Sequence, residues 1–289
     1  MSISTESTST NTLPIEVVIV SAARTPMGGF QGELSTVSAT ELGSVAIKAV
    51  VERAGGIDTS VELMNSIDEV LMGNVLSAGL GQAPARQAAL GAGLPTSTPC
   101  TTISKVCGSG MKSVMLAFDQ IKSGSIDVAV AGGMESMSQA PYLLPTARSG
   151  QRLGHGEMLD HMFYDGLQNA YDGKLMGCFA DANASEDGIT REQMDDYAIE
   201  SLRRAKQAIE SGYFSAEIAP VTVKTRKSET VIDTDEQPPK ANRPESINTE
   251  IRDGKSIVKT YPLAKGKERQ KLKILRNKPH HFINSCDGF

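Results

Sequence analysis

Thr101-Thr102-Ile103-Ser104-Lys105-Val106-Cys107-Gly108-Ser109-Gly110-Met111-Lys112, with the residues running on to Lys122, decides the fold. The β-branched run from Thr101 to Val106 predicts extended backbone. From about Gly108 the pattern switches to a helical period. Met111, Val114, Met115, Phe118 and Ile121 make one predicted apolar face, and Gly124 lies past its end. Val128 to Ala131 is then a short apolar run closed by Gly132-Gly133, read as a buried strand. Strand and helix patterns alternating in this way are the signature of an α/β layered fold.

Working outward, Val17-Val18-Ile19-Val20 reads as a strand buried on both faces. Ser38-Ala39-Thr40-Glu41 fits a capping box, in which the Ser hydroxyl and the Glu carboxylate each satisfy a free backbone amide. The helix it opens is expected to end at Gly55-Gly56. Ile67 to Met72 is a further strand, broken by Gly73, and Pro84 sits where another helix can begin. Beyond Met137 the texture changes to glycine, methionine and short polar stretches, as in an irregular subdomain laid over an α/β core. Thr190-Arg191-Glu192-Gln193 is a second capping box. The helix after it has Met194, Tyr197, Ala198, Leu202, Ala205 and Ile209 on its apolar face. Ile218 to Val223 reads as a strand.

The chain has 289 residues, 39% hydrophobic and 22% charged, which describes a folded protein rather than a disordered one. No uninterrupted apolar run approaches the length of a membrane helix, and the Ser/Thr-rich start reads as a frayed tail. The expected compartment is the cytoplasm. No C-x-x-C pair and no H-E-x-x-H pattern occurs, so no metal is expected. The net charge of −5 hides a break: up to Asn242 the chain has 18 Lys and Arg against 29 Asp and Glu, and from Arg243 onward 11 against 5. A reversal of that kind marks a domain boundary, an interaction tail or a foreign segment.

Cys107 stands at the predicted strand-to-helix junction. Amides at a helix N-terminus carry partial positive charge and favour a thiolate placed against them. The glycines after it lack the Cβ atoms that would obstruct a bulky thioester. From spacing alone a packed structural cysteine is as natural a reading as a nucleophile.

A family resemblance separates the two. Lys105-Val106-Cys107-Gly108-Ser109-Gly110 resembles the nucleophile motif of thiolases. Val18 to Pro26 with Gly28-Gly29-Phe30 is similar to the family's first strand and loop. Gly73-Asn74-Val75-Leu76, Gly81-Gln82 and Pro84-Ala85-Arg86-Gln87-Ala88 are similar to its second block. Ala131-Gly132-Gly133-Met134-Glu135-Ser136-Met137, Asp165-Gly166-Leu167, Leu175-Met176-Gly177 and Arg191-Glu192-Gln193 continue the likeness, which runs in order from about Val17 to Asn242.

The resemblance implies a layered αβα core domain over 16–137 with an inserted irregular α+β loop domain over 138–242. Residues 1–15 are then a disordered tail and 243–289 a divergent basic tail. It implies an acyltransferase that joins two acetyl-CoA into acetoacetyl-CoA and CoA, or runs the reverse, in fatty acid metabolism. Cys107 would be the acyl-accepting nucleophile, its own amide one donor of an oxyanion hole. Leu167 and Met176 would line the pantetheine channel and Arg226 would flank the adenine end of coenzyme A. No cofactor is implied beyond the coenzyme A thioesters that are the substrates, and no nucleic-acid or membrane partner. A homo-oligomer, dimer or tetramer, is implied for full-length relatives. Leu175 departs from the family, whose biosynthetic members often carry His there, so chain-length preference stays open.

The family's second half brings an Asn-Glu-Ala block, a Gly-His-Pro histidine and a Cys-x-Gly-Gly-Gly loop, and none occurs here. His280-His281 and Cys286 are read as coincidental. The chain is therefore expected to be truncated and inactive by itself, with the segment from Arg243 frameshifted or spliced in. The alternatives are a non-catalytic fragment or pseudoenzyme, a condensing enzyme of the ketoacyl synthase type, and a module that only binds coenzyme A.

Overall fold

The computed structural model describes residues 16–226 and 228–240, the side chains of 56–60 excepted, and the backbone of 249–252 and 255–258. The core begins with helix α1 (Ala39–Ser66), which Ser38 caps: its hydroxyl accepts from the Glu41 N–H while the Glu41 carboxylate accepts from the Ser38 N–H. The helix runs through Gly55-Gly56 rather than ending there. A mid-helix glycine costs only about 1 kcal/mol, and Leu63 and Met64 beyond it still reach the core.

Strand β1 (Glu69–Gly73), helix α2 (Pro84–Gly91), strand β2 (Cys100–Ile103), helix α3 (Ser109–Lys122) and strand β3 (Ala129–Gly133) follow in order. The sheet is parallel with β1 in the centre, between β2 and β3. Side chains alternate along β1. Val70 and Met72 join Ala39, Ile47 and Val51 of α1 and Ala85, Ala88 and Ala89 of α2 in the main buried cluster. Gly73 meets α3 on the other face. Helix, sheet and helix make the expected αβα layers.

Two expectations fail in the core. Val17 to Val20 forms no strand: Val18, Ile19 and Val20 are 65%, 84% and 75% exposed, and a strand needs a partner that the described residues do not supply. Helix α3 also lies the other way round from its hydrophobic pattern. Its buried residues are Ser109, Ser113 and Ala117, while Met111, Val114, Met115 and Phe118 are exposed. The reason is contact distance. A Cβ on Gly73 would fall 2.5 Å from the Ser109 carbonyl carbon, and one on Gly133 would fall 3.2 Å from the Gly110 Cα. Only a face of small residues fits against backbone that close.

Residues 138–240 are the described part of the expected inserted domain (138–242), called the insertion below. Strands β4 (Tyr142–Leu143) and β5 (Leu159–Asp160) pair antiparallel, a π-helical turn covers Met162–Leu167, and helices α4 (Met176–Glu186) and α5 (Arg191–Glu210) follow. Thr190 caps α5 with the predicted box. Leu202 is the buried residue of α5, and Tyr197, placed on its inner face by periodicity, is 80% exposed. The predicted last strand is β6 (Val221–Lys224), hairpinned to β7 (Glu229–Ile232). This hairpin packs Val221, Val223 and Ile232 against Leu34, in the turn before α1, and against Leu42 and Val45 at the start of α1. A short helix, α6 (Gln237–Lys240), ends the insertion, and the backbone of β8 (Thr249–Arg252) and β9 (Lys255–Val258) makes one more antiparallel pair. The rest of the basic segment, with His280, His281 and Cys286, lies outside the described residues.

Candidate active site

The three parallel strands end on one side, where open α/β sheets bind ligands. From there β2 leads into Ser104–Gly108, β1 into Asn74–Leu80 and β3 into Met134–Ser136. Each of these loops contributes to the site.

Cys107 is exposed immediately before α3. Gly108 is the N-cap and has no side chain to offer, so no side-chain hydrogen bond caps the helix. The turn carrying Cys107 is held by the Gly108 N–H donating to the Lys105 carbonyl and the Ser109 N–H to the Val106 carbonyl, both at 3.1 Å. Val106 takes a φ of +45°, which a β-branched side chain rarely adopts. Gly110 also packs on the Gly132-Gly133 backbone, where a Cβ on Gly133 would fall 3.2 Å from the Gly110 Cα, so the helix start sits close to the sheet. Cys100 is a useful contrast. It is half-buried, its thiol donates to the Thr98 carbonyl at 3.4 Å, and burial pushes that thiol up, Arg86 offsetting only part.

Glu135, two residues past β3, ties the loops together. Its carboxylate accepts from the Val75 N–H at 2.8 Å, the Leu76 N–H at 3.2 Å and Asn74 Nδ2 at 2.9 Å. Burial pushes the Glu135 carboxyl above its ordinary value, against the pull of those donors. Asn74, 2% exposed, also donates to the Met134 carbonyl, at 3.1 Å. His161 is 5% exposed, and its Nε2 accepts from the Ala78 N–H at 3.3 Å. That bond leaves the ring proton on Nδ1, which lies 2.6 Å from Asp165 Oδ2. The insertion is thereby fastened to the loop that leaves β1.

A second fastening joins Arg24, before the core, to the far end of the insertion. Arg24 grips Asp235 with both guanidinium nitrogens, at 2.7 and 2.9 Å, while its Nε reaches Glu217 at 2.5 Å. Asp235 is 2% exposed. Burial opposes its charge, but the Arg24 hydrogen bonds, the Met27 N–H and the Arg24 charge outweigh that and hold it below the usual carboxylate range. Glu236 next to it accepts from the Gly29 and Glu33 N–H groups and from Lys240, and it too lies low in spite of burial.

Leu167 and Met176 flank the same bridge. Gln168 and Leu175 form an antiparallel bridge, and the two residues stand one step beyond it on either arm. Leu167 is half-buried and Met176 is 47% exposed, at the first position of α4. Arg226 sits apart from them, exposed in the turn between β6 and β7. Sequence reasoning assigned no role to Ser109, Asn74, Glu135, His161 or Asp165. The signal for Glu135 was present: a lone carboxylate two residues after a glycine pair that ends a strand of the sheet.

Residues 17–250 match the model of the thiolase N-terminal domain, eight residues beyond the point where the likeness was read to stop. The chain belongs to the thiolase family. It is 52% identical over 231 residues to acetyl-CoA acetyltransferase 2 of Arabidopsis thaliana, a match covering 79% of this chain and 56% of that protein. It is 54% identical over 226 residues to the acetyl-CoA acetyltransferase of Escherichia coli, covering 78% of this chain and 56% of the relative. For the mitochondrial acetyl-CoA acetyltransferase of Danio rerio the identity is 52% over 223 residues, 77% of this chain and 51% of the relative. The thiolase chain described here therefore spans about half the length of the curated relatives it matches.

Proposed function

We propose that this thiolase chain carries the acyl-accepting part of an acetyl-CoA C-acetyltransferase. The observation that carries the reading is Cys107, exposed at the uncapped start of α3 on the strand-end side of a parallel sheet. In the first step the Cys107 thiolate attacks the carbonyl carbon of acetyl-CoA, and the developing oxyanion takes the Cys107 N–H as one donor. The carbon–sulfur bond to coenzyme A then breaks, and coenzyme A leaves as a thiolate that takes up a proton. The enzyme keeps an S-acetyl thioester. In the family reaction the α-carbon of a second acetyl-CoA displaces Cys107 from that carbonyl, giving acetoacetyl-CoA.

Leu167 and Met176 are the pantetheine contacts of this proposal, supported by their places flanking the Gln168–Leu175 bridge. Arg226 is the adenine contact, supported by its exposed place in the β6–β7 turn. A homo-oligomer belongs to the same proposal. It is supported by β2, an edge strand whose outer side has no partner among the described residues. A cytoplasmic site of action and a place in fatty acid metabolism complete the reading. No helix among the described residues is long and apolar enough to cross a membrane.

The test separates the two halves of the chemistry. The 289 residues contain no Gly-His-Pro histidine and no Cys-x-Gly-Gly-Gly loop, and loss of one general base costs about 10²–10⁴ in rate. Incubation with acetyl-CoA is expected to add one acetyl group, located on Cys107 by peptide mass spectrometry. Acetoacetyl-CoA thiolysis, followed by absorbance, is expected to stay at the level of a Cys107→Ala control. Acetylation that persists in Cys107→Ala would overturn the assignment of the nucleophile. Turnover above the control would show that other residues of this chain supply the acid and base.

A further inference from the structure

Val106 is the described β-branched residue with a left-handed backbone, at φ +45°. A side chain branched at Cβ crowds its own peptide there, so the conformation lasts only where neighbours over-determine it. One hydroxyl does this. Ser109 Oγ accepts from the Lys105 N–H at 2.8 Å and donates to the Val106 carbonyl oxygen at 2.6 Å. The Ser109 N–H donates to that same carbonyl at 3.1 Å. The amide before the strained residue and the carbonyl after it are thus joined through one side chain.

The clamp is mounted on something rigid. Ser109 is 4% exposed. A Cβ built on Gly73 of the central strand would fall 2.7 Å from the Ser109 Cβ, so the serine is pinned against β1. Its carbonyl accepts from the buried Ser113 hydroxyl at 3.0 Å, one turn further along α3. Any movement of the Val106 peptide must therefore break bonds to a residue that cannot follow it. Cys107 lies between the strained residue and the helix, and the Val106 conformation sets where its sulfur stands against the helix start.

We propose that Ser109 is a positioning residue: its hydroxyl holds Val106 in the left-handed turn and so keeps Cys107 at the N-terminus of α3. The proposal rests on the reading of Cys107 as the nucleophile. Ser109 touches neither the sulfur nor any reacting atom. Removing the hydroxyl lets Val106 return to ordinary backbone angles, and the thiol moves off the helix start.

Alkylation by iodoacetamide, with peptide mass spectrometry reading Cys107 and Cys100 separately, tests this in the full chain. Ser109→Ala keeps the Cβ packed on Gly73 and deletes the clamp alone. It is expected to slow Cys107 labelling about 10-fold, the size of a released backbone strain, and to leave Cys100 labelling unchanged. In a Val106→Gly background the turn is unstrained and needs no clamp, so the same Ser109→Ala change is expected to cost less than about 3-fold. A merely structural serine would cost the same in both backgrounds, and that result overturns the proposal. Should Ser109→Ala fail to fold, recovery on adding Val106→Gly supports the same coupling and failure to recover overturns it. The two readings fail separately. Cys107 labelling no faster than Cys100 in the unsubstituted chain defeats the nucleophile, whereas a fast Cys107 indifferent to Ser109→Ala defeats only the clamp.

Discussion

Around β1 the chain closes by backbone approach: Gly73, Gly110 and Gly133 let α3 lie directly on the sheet, and alkyl side chains from α1 and α2 fill the other face. Around the insertion it closes by polar anchoring. His161 fastens the insertion to the loop after β1, Glu135 ties that loop to the one after β3 from which the insertion leaves, and Asp235 and Glu236 fasten its far end to Arg24 and to the amides of Gly29 and Glu33. Helices α4 and α5 between those anchors have one buried residue between them, Leu202. The contrast is physical. Glycine contacts and methylene burial are indifferent to pH and charge, while the anchors depend on which groups are ionised. Cys107 is mounted on the first kind of structure, and the residues proposed to hold coenzyme A are carried by the second.

The sharpest way to break the comparison is to cut one anchor. Arg24→Ala leaves the Asp235 carboxylate buried with the Met27 N–H as its remaining described donor. Removing one partner of a buried ion pair costs about 2–5 kcal/mol, and denaturant unfolding measures it. The insertion is expected to unfold in an earlier transition than the sheet. A single transition, shifted by under about 1 kcal/mol as for surface pairs, would show that the anchor contributes little and that both regions rest on one core.

Acid should separate the regions more gently, and the signs oppose. Asp235 and Glu236 have lowered pKa values in the fold. Their contribution is therefore complete above the ordinary carboxylate range and lost as pH falls below about 4. Glu135 is raised by burial, so its contribution is greatest at low pH and is lost as pH rises through its folded value. Thermal midpoints are expected to hold or rise slightly from neutral pH toward about 5 and to fall below about 4. Glu135→Gln should flatten the upper limb and leave the acid limb in place. An acid limb that survives Asp235→Asn combined with Glu236→Gln would assign the acid sensitivity elsewhere.

The same division explains what could be read in the sequence. Both capping boxes, the alternation of strands with helices, and Cys107 at a strand-to-helix junction are local chemistry, and all were legible. The orientation of α3 was not, because hydrophobicity ranks Met111, Val114, Met115 and Phe118 as the buried face. The sheet takes the small face, since backbone must approach backbone at Gly73 and Gly133. Val17 to Val20 carries a strand pattern, but pairing depends on a neighbour that no local pattern supplies. The anchors span the sequence, Arg24 with Asp235 and Asn74 with Glu135, and without partners in view each reads as an ordinary surface charge or amide. Val106 runs against its own propensity, so no sequence signal announces its turn.

The smallest expected effect belongs to Met176, and it sharpens the comparison most finely. Met176 is 47% exposed at the first position of α4, opposite Leu167 across the Gln168–Leu175 bridge. Truncating an exposed side chain away from core and anchors changes stability by no more than about 0.5 kcal/mol, so Met176→Ala should unfold like the parent chain. If Met176 lines a pantetheine channel, the same change removes apolar area that a bound ligand covers. One methionine side chain is worth about 1.5–3 kcal/mol when fully buried, and roughly half of this one is open to a ligand. Binding of coenzyme A, measured by calorimetry on Cys107→Ala to exclude acylation, should then weaken about 3- to 10-fold. Leu167→Ala should weaken it similarly, at some cost in stability because Leu167 is half-buried. Unchanged affinity in both variants would confine the pair to packing within the insertion, and would leave Arg226 and Cys107 to be tested without them.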